Sequence, residues 1–358
     1  MGMRLRRGTL LRGELARLRL DALLITTPRN IRYLTGFTGS NALCLVTRHA
    51  QFFITDPRYT TQARAEVKGW KRFIASESLA GEASRQKLLP RCRRIGFESS
   101  HLSYARYRLL KRQFPSTSLI PMEGIVERFG IVKTAAEIAL MKRATVITDS
   151  VFSEILKVIK PGVKELDISA EISYRQKRHG AERDAFDPIV ASGFRAALPH
   201  ARASRKKIKS GEGVVLDFGC VVEGYHSDLT RTVFVGKVSR KMRGVYETVR
   251  DAQDNAIQAA RSDMQAKELD AVARRTISNA GWGRFFIHSL GHGLGLDVHE
   301  PPRISSLSRE ILSEGSVITI EPGVYIPGVG GVRIEDDVII TKHGCKVLTR
   351  SSKELIIL

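Results

Sequence analysis

Apolar residues recur along this chain with two different periods, and the change from one to the other divides it into segments. Leu11, Leu15 and Leu18 share one face of a helix, while residues 22–26, 42–47, 51–55 and 95–97 are short apolar or β-branched runs of strand length. Strands alternating with helical pattern predict an α/β layer over residues 1–125. Residues 121–130 then mix proline, glycine and charge, and 126–133 read as a linker. Thr134 followed by Glu137 has the spacing of a capping box, which opens a helix whose stripe is Ile138, Met141, Ile147, Phe152, Ile155 and Ile159, ending before Pro161 and Gly162. A second helix is expected over 165–179 with Gly180 as its stop, and two more over 239–261 and 266–280. The runs 214–216 and 317–320 read as buried strands. Residues 134–358 are therefore expected to form an α+β domain, and 358 residues are enough for two domains.

Both buried runs end on carboxylates, Asp217 and Glu321. Asp228 follows Asp217 across Glu223-Gly224, and Glu335 follows Glu321 across Gly328-Val329-Gly330-Gly331, so each pair is expected on a hairpin-like unit. One acid at a strand end is usually a turn former or an ion-pair partner. Four acids in apolar or glycine-flanked contexts, joined by His292 between glycines, are a different matter, because a buried unpaired carboxylate is costly and a cation relieves it. An oxygen-rich set with one imidazole suits manganese first, with magnesium, cobalt or zinc as alternatives. Two cations held together can activate a water and polarise a carbonyl, which points to hydrolysis of an amide. His200, His288 and His299 lie beside or before this run. A lone histidine is ordinarily a satisfied surface or core residue; their placement here makes them candidates for the same site.

The motifs Asp-Phe-Gly at 217–219, Ser-Asp-Leu-Thr-Arg-Thr at 227–232, Gly-His-Gly-Leu-Gly at 291–295, Glu-Pro-Gly at 321–323 and Gly-Val-Arg-Ile-Glu-Asp at 331–336 occur in one order. In this the stretch from about Thr134 onward resembles the catalytic domain of the proline-specific metallopeptidases, the aminopeptidase P and prolidase family, with its pita-bread fold. Asn30 to Phe37 resembles, over a shorter stretch, the start of the α/β amino-terminal domain of creatinase and prolidase relatives. The resemblance implies two divalent cations: Asp217 on one, His292 and Glu321 on the other, Asp228 and Glu335 shared. It implies Glu321 as general base, His200 and His299 holding the scissile carbonyl and its tetrahedral intermediate, His288 lining the pocket, and Arg333 supporting the cluster or the substrate. The implied activity is hydrolysis, by a hydroxide bridging the cations, of the bond between an amino-terminal residue and a following proline. The implied assembly is a homodimer. A positioned donor at a developing oxyanion contributes about 3 kcal/mol. Proline makes a tertiary amide without an N–H, so recognition has to rest on ring shape and flanking groups.

The aminopeptidase P type is expected slightly ahead of the prolidase type. The other readings are a non-enzymatic pita-bread module using its basic surface, a creatinase-type hydrolase and a methionine aminopeptidase. Loss of ligands would favour the first two, and no ligand is substituted. The third lacks an amino-terminal domain of this kind.

Charge adds a feature that the motifs do not explain. The chain has 58 basic and 37 acidic residues, net +21, of which residues 1–125 hold 23 basic and 8 acidic (+15), leaving 35 and 29 (+6). The runs Arg4-Leu5-Arg6-Arg7, Arg91-Cys92-Arg93-Arg94 and Arg205-Lys206-Lys207 could meet a polyanion. No nucleic-acid motif accompanies them, so a solvated basic surface is the favoured reading over nucleic-acid contact. Cys44, Cys92, Cys220 and Cys345 are too scattered for a disulfide framework or zinc ribbon, and charges interrupt the amino-terminal leucines, so neither a signal core nor a membrane span can be drawn. A cytoplasmic location is expected. The glycines at 291–295 and 328–331 fit neither a dinucleotide fingerprint nor a phosphate loop; they read as turns that let backbone approach the cations.

Overall fold

Leu11 and Leu15 are fully buried on the first helix, as the spacing predicts, but Leu18 lies beyond its end and Leu20 takes the next buried position. The computed structural model describes residues 2–89 and 92–358. Arg91 and the side chains of Arg4 and Arg6, part of two basic runs, lie outside what is described. Two compact units result, Met1–Phe129 and Gly130–Leu358.

The first unit runs α1 (Gly2–Arg17), β1 (Ala22–Ile25), α2 (Pro28–Thr35), β2 (Ala42–Thr47), β3 (Gln51–Thr55), α3 (Thr60–Glu66), β4 (Lys71–Ile74), α4 (Leu79–Arg85), β5 (Arg94–Glu98), α5 (Tyr104–Gln113), β6 (Ser118–Met122) and the single turn α6 (Glu127–Gly130). Its six strands form one mixed sheet in the order β4-β3-β2-β1-β5-β6. The sequence pattern misses β4 and β6, the two edges. β4 is mostly exposed and opens on Lys71-Arg72, and β6 contains Pro121, which an edge strand tolerates because it has no partner on one side.

The second unit repeats one plan, a helix pair followed by antiparallel strands. The first half comprises α7 (Ala135–Ile155), α8 (Glu165–Arg178), β7 (Arg183–Asp184), β8 (Ile189–Ser192), β9 (Gly213–Phe218), β10 (Cys220–Val222), β11 (Tyr225–His226) and β12 (Leu229–Phe234). The second comprises α9 (Arg240–Ala259), α10 (Ala266–Asn279), β13 (Gly291–Gly293), β14 (Glu300–Ile304), β15 (Val317–Ile320), β16 (Gly323–Ile326), β17 (Gly330–Arg333), β18 (Asp336–Thr341) and β19 (Gly344–Val347). The predicted capping box is present: Thr134 Oγ1 accepts from the Glu137 amide and Glu137 Oε2 from the Thr134 amide, at 3.4 and 2.8 Å.

Strand alternation sorts the residues of this unit into two faces. In β9, Val214, Leu216 and Phe218 pack with Phe152 and Ile155 of α7 and Ile168 and Ile172 of α8. In the other half, Ile318, Ile320, Val338 and Ile340 pack with Val245 and Val249 of α9 and Leu269 and Ala273 of α10. Successive side chains of a strand point to opposite faces. Asp217, then Thr230 and Thr232 following Asp228, then Thr319 before Glu321, and Arg333 before Glu335, therefore all occupy the face turned away from the helices. Removing one of the buried side chains, for example Leu216→Ala, costs about 2–5 kcal/mol.

The second glycine run makes its expected turn, over residues 327–329 between β16 and β17, whereas Gly291 and Gly293 lie within β13. A Cβ on Gly331 would lie 2.2 Å from the carbonyl oxygen of Ala196, and one on Gly291 would lie 2.1 Å from that of Thr319. Both clear neighbouring backbone segments, the short 3-10 turn Gly193–Ala197 in the first case. Among the described residues no helix is long and apolar enough to cross a membrane.

Candidate active site

The two predicted hairpins form. β9 pairs antiparallel with β12, setting Thr230 opposite Asp217, and β10 with β11 turns at Glu223-Gly224. β15 pairs with β18 and β16 with β17, placing Glu321 and Glu335 in the interval between the two ladders. The strands of the two halves then meet: the Glu335 amide donates to Thr230 O at 3.0 Å and the Arg333 amide to Thr232 Oγ1 at 3.1 Å.

The result is a cavity of about 720 Å³ lined by all nine residues that the sequence singles out: Asp217, Asp228, His292, Glu321, Glu335, His200, His288, His299 and Arg333. At its floor, His292 Nε2 lies 3.3 Å from Glu321 Oε1 and 3.9 Å from Asp228 Oδ2. Donor atoms of Asp228, His292 and Glu335 lie within 4.8 Å of one another, close enough for a single ion to span. The Asp217 carboxylate is held by Arg333 Nη2. His292 and His299 stand edge to face with ring centroids 4.4 Å apart, whereas His200 is exposed at the cavity wall.

Electrostatics tests whether a cation suits this set. Burial lifts the Asp228 and Glu335 carboxyls well above the usual range, and the neighbouring acids add to it. Glu321 is pushed up to about 8, chiefly by burial, with Arg333 opposing. Burial and the neighbouring His299 pull His292 down to about 4, so its imidazole is neutral and free to act as a ligand. Asp228 Oδ1 is buried without a hydrogen-bond partner. Oxygen donors crowded against their own repulsion, a neutral imidazole and an orphaned carboxylate oxygen are the requirements of a hard divalent cation.

Sequence reasoning overlooks three residues that hold this set in place. Thr230 Oγ1 donates to Glu335 Oε2 at 2.6 Å and accepts from Arg333 Nε at 3.0 Å. The Tyr325 hydroxyl lies 2.7 Å from Arg333 Nη1 and 2.9 Å from His288 Nε2. Burial, with Arg333 next, lowers His288 to about 3, so it is neutral. Asp337 Oδ2 accepts the Asp228 amide at 3.0 Å. Thr230 was discoverable, since it lies two positions after Asp228 on the same strand face. Asp337 carries the same mark as the other acids, a carboxylate flanking the apolar run 338–340, whereas Tyr325 sits in an apolar strand where nothing local marks it.

Comparison with known proteins agrees with this architecture. Residues 139–342 match metallopeptidase family M24, and residues 7–132 match the creatinase/prolidase N-terminal domain. The chain belongs to metallopeptidase family M24. Within that family it is 39% identical over 339 residues to the Xaa-Pro dipeptidase of Pyrococcus horikoshii, covering 94% of this chain and 95% of that protein. A solved Xaa-Pro dipeptidase from Bacillus anthracis superposes with a TM-score of 0.97 at 39% identity, over 99% of this chain and 100% of that one. The solved X-Pro aminopeptidase from Thermotoga maritima superposes with a TM-score of 0.90 at 36% identity, over 96% and 100% of the two chains. The creatinase/prolidase domain followed by a pita-bread M24 domain is thus the fold of this protein.

Proposed function

We propose that this protein is a metal-dependent Xaa-Pro dipeptidase, cleaving the bond between an amino-terminal residue and a carboxyl-terminal proline. The observation that carries the reading is the convergence of four buried or half-buried carboxylates and a neutral histidine in one cavity. The dipeptidases named among the similar proteins favour the prolidase type, which reverses the slight expectation of aminopeptidase P, for which no residue of the sequence speaks.

Asp217, Asp228, His292, Glu321 and Glu335 would hold two divalent cations, manganese first, with Asp228 and Glu335 shared. Bound there, such a pair supplies an activated water and a polarised substrate carbonyl. Glu321 is the proton acceptor in this reading, and Thr319, 3.3 Å from its Oε1, keeps it turned toward His292. His200 and His299 face the cavity as donors to the scissile carbonyl and to the charge that develops on it. Arg333 is committed to Asp217, Thr230 and Tyr325, so its part is to fix Asp217 and, through Tyr325, the His288 ring.

A dipeptide ends in a carboxylate one residue beyond the scissile bond. Arg202 and Arg303 line the same cavity and supply cationic groups for it; Arg303 Nε is steadied by Ser289 Oγ at 3.0 Å. A longer peptide would place an uncharged carbonyl there. Side-by-side turnover of Ala-Pro and Ala-Pro-Ala by manganese-loaded protein tests this: the dipeptide is expected to be cleaved in preference, and preference for the tripeptide would replace the dipeptidase with an aminopeptidase. A homodimer belongs to the same proposal and is tested by sedimentation.

A further inference from the structure

Glu165, the first residue of α8, has a fully buried carboxylate that accepts five hydrogen bonds, all from one segment of chain. Oε1 takes the amide and the hydroxyl of Ser192, both at 2.8 Å; Oε2 takes Arg195 Nε at 3.0 Å and the Ser204 amide and hydroxyl at 3.1 and 2.6 Å. Ser192 and Ser204 are the two ends of the stretch that carries His200.

Ser192 also ends β8 in its ladder with β9, whereas the Ser204 end lies outside any strand. After the turn Gly193–Ala197 the stretch runs without helix or strand to beyond Ser204. At the start of α8 the Leu166 amide donates to Ser204 O at 3.0 Å and the Glu165 amide to Lys206 O, just past the stretch, at 3.1 Å. Arg195, already bound to Glu165, spans the loop through Nη2 to Arg202 O at 2.6 Å. Lys206 Nζ closes the far side on Ser192 Oγ at 2.8 Å. The tip is held separately, by Arg333 Nη1 on Pro199 O at 3.2 Å. His200 itself is exposed, so its placement depends on the backbone that carries it.

We propose that Glu165 is a positioning residue that clamps both ends of the 192–204 loop and thereby fixes the His200 imidazole at the cavity wall. It touches no substrate. The inference rests on the reading of His200 as a donor to the scissile carbonyl, but the geometry it asserts can be measured without any turnover. A carboxylate is the group this position requires, since five donors converge on two oxygens and an amide would turn one N–H pair toward donors. The other half of the unit provides an internal comparison. There the fully buried Asp270 of α10 accepts the Leu290 amide at 3.1 Å and pairs with Arg274, whose Nη2 donates to His288 O at 2.9 Å. His288 thus has a clamp of its own, and loss of Glu165 leaves it in place.

The test is Glu165→Gln followed by nitrogen-15 NMR of the histidine rings, with His200→Ala used to assign the His200 signals. The expected result is a shifted or broadened His200 resonance with His288 unmoved. On Ala-Pro, kcat is expected to fall about 10- to 100-fold, the scale on which misplacement of a group by an ångström acts, with a smaller change in KM. The double variant with His200→Ala should be no slower than His200→Ala alone. A His200 signal identical to wild type, or losses that multiply in the double variant, overturns the proposal. If the wild-type protein cleaves no Xaa-Pro peptide, the functional reading fails while the NMR comparison still decides the positioning. Should Glu165→Gln fail to fold, Ser204→Ala removes a single donor from the clamp: a displaced His200 signal supports the proposal and an unchanged one overturns it.

Discussion

Glu321 and Glu335 stand opposite each other in the gap between two ladders that share one register. Ile320 pairs with Asp336 on one side of the gap and Gly323 with Arg333 on the other, so counting inward from either ladder sets Glu321 against Glu335. Pro322 lies in the gap, bringing no N–H to continue the ladder. The same strands that bury their alternate apolar residues under α9 and α10 thereby turn two acids toward Asp217 and Asp228.

If Asp228 and Glu335 are shared between cations, Asp228→Asn and Glu335→Gln each remove a ligand from both. Calorimetric titration of chelator-treated protein with manganese should give two sites in the wild type and no tight site in either variant, with Xaa-Pro turnover lost alongside. Two tight sites retained in Glu335→Gln would refute the sharing.

The metal-free protein carries a pH signature. Its buried carboxyls hold protons that the unfolded chain releases, Glu321 titrating near 8 against an ordinary value of 4.5, so their contribution to stability falls as pH rises through that interval. His288 and His292, lowered to about 3 and about 4, act with the opposite sign and lose stability as pH drops below their ordinary 6.5. From pH 6.5 to 8 the two histidines of the unfolded chain lose the last of their protons, and the three raised carboxyls of Asp228, Glu321 and Glu335 outweigh them. The thermal midpoint measured in chelator is therefore expected to decline from pH 6.5 to 8, and manganese to abolish that decline. A midpoint that rises over this range without metal would contradict the assignment.

Thr230→Val keeps the side chain's shape and removes the hydroxyl shared by Glu335 and Arg333. Leaving the buried Glu335 carboxyl and the Arg333 guanidinium each short of a partner should cost about 1–3 kcal/mol, read as a lower denaturation midpoint, and weaken manganese binding. Unchanged binding and stability would mean that the hydroxyl does not orient the cluster.

Much of this site was legible in the sequence because its carboxylates terminate or flank apolar strands, where an acid without a partner is conspicuous. Asp217 after Val214-Val215-Leu216 and Glu321 after Val317-Ile318-Thr319-Ile320 announce themselves in this way, and the intervening glycine turns give the hairpins. Tyr325 carries no such mark, since an aromatic in the apolar run 323–326 reads as core and only the fold brings it to Arg333 and His288. Glu165 was readable as a helix start but not as a clamp, for its donors come from residues 27 to 39 positions later. The edges β4 and β6 escaped because an exposed strand need not alternate, and the close approaches of Gly331 to Ala196 and of Gly291 to Thr319 escaped because they are a property of the assembled sheets.

Gly331→Ala tests that last point. The added methyl meets the Ala196 carbonyl, a backbone atom that cannot swing aside, so the 3-10 turn leading to the His200 loop must shift. Overpacking of this kind costs about 1–3 kcal/mol. The variant is expected to unfold at lower temperature and to cleave Ala-Pro more slowly, whereas wild-type stability and rate would show that the turn is not held against β17.

The most direct measurement is hydrolysis of Ala-Pro by protein stripped with chelator and then given manganese, with Ala-Ala as the comparison peptide. The stripped protein is expected to be inactive, manganese to restore cleavage of Ala-Pro, and Ala-Ala to be cut far more slowly. Absence of Ala-Pro cleavage under every divalent metal tried, or equal rates with and without metal, would contradict the assignment of this cavity as a metal-dependent Xaa-Pro peptidase site.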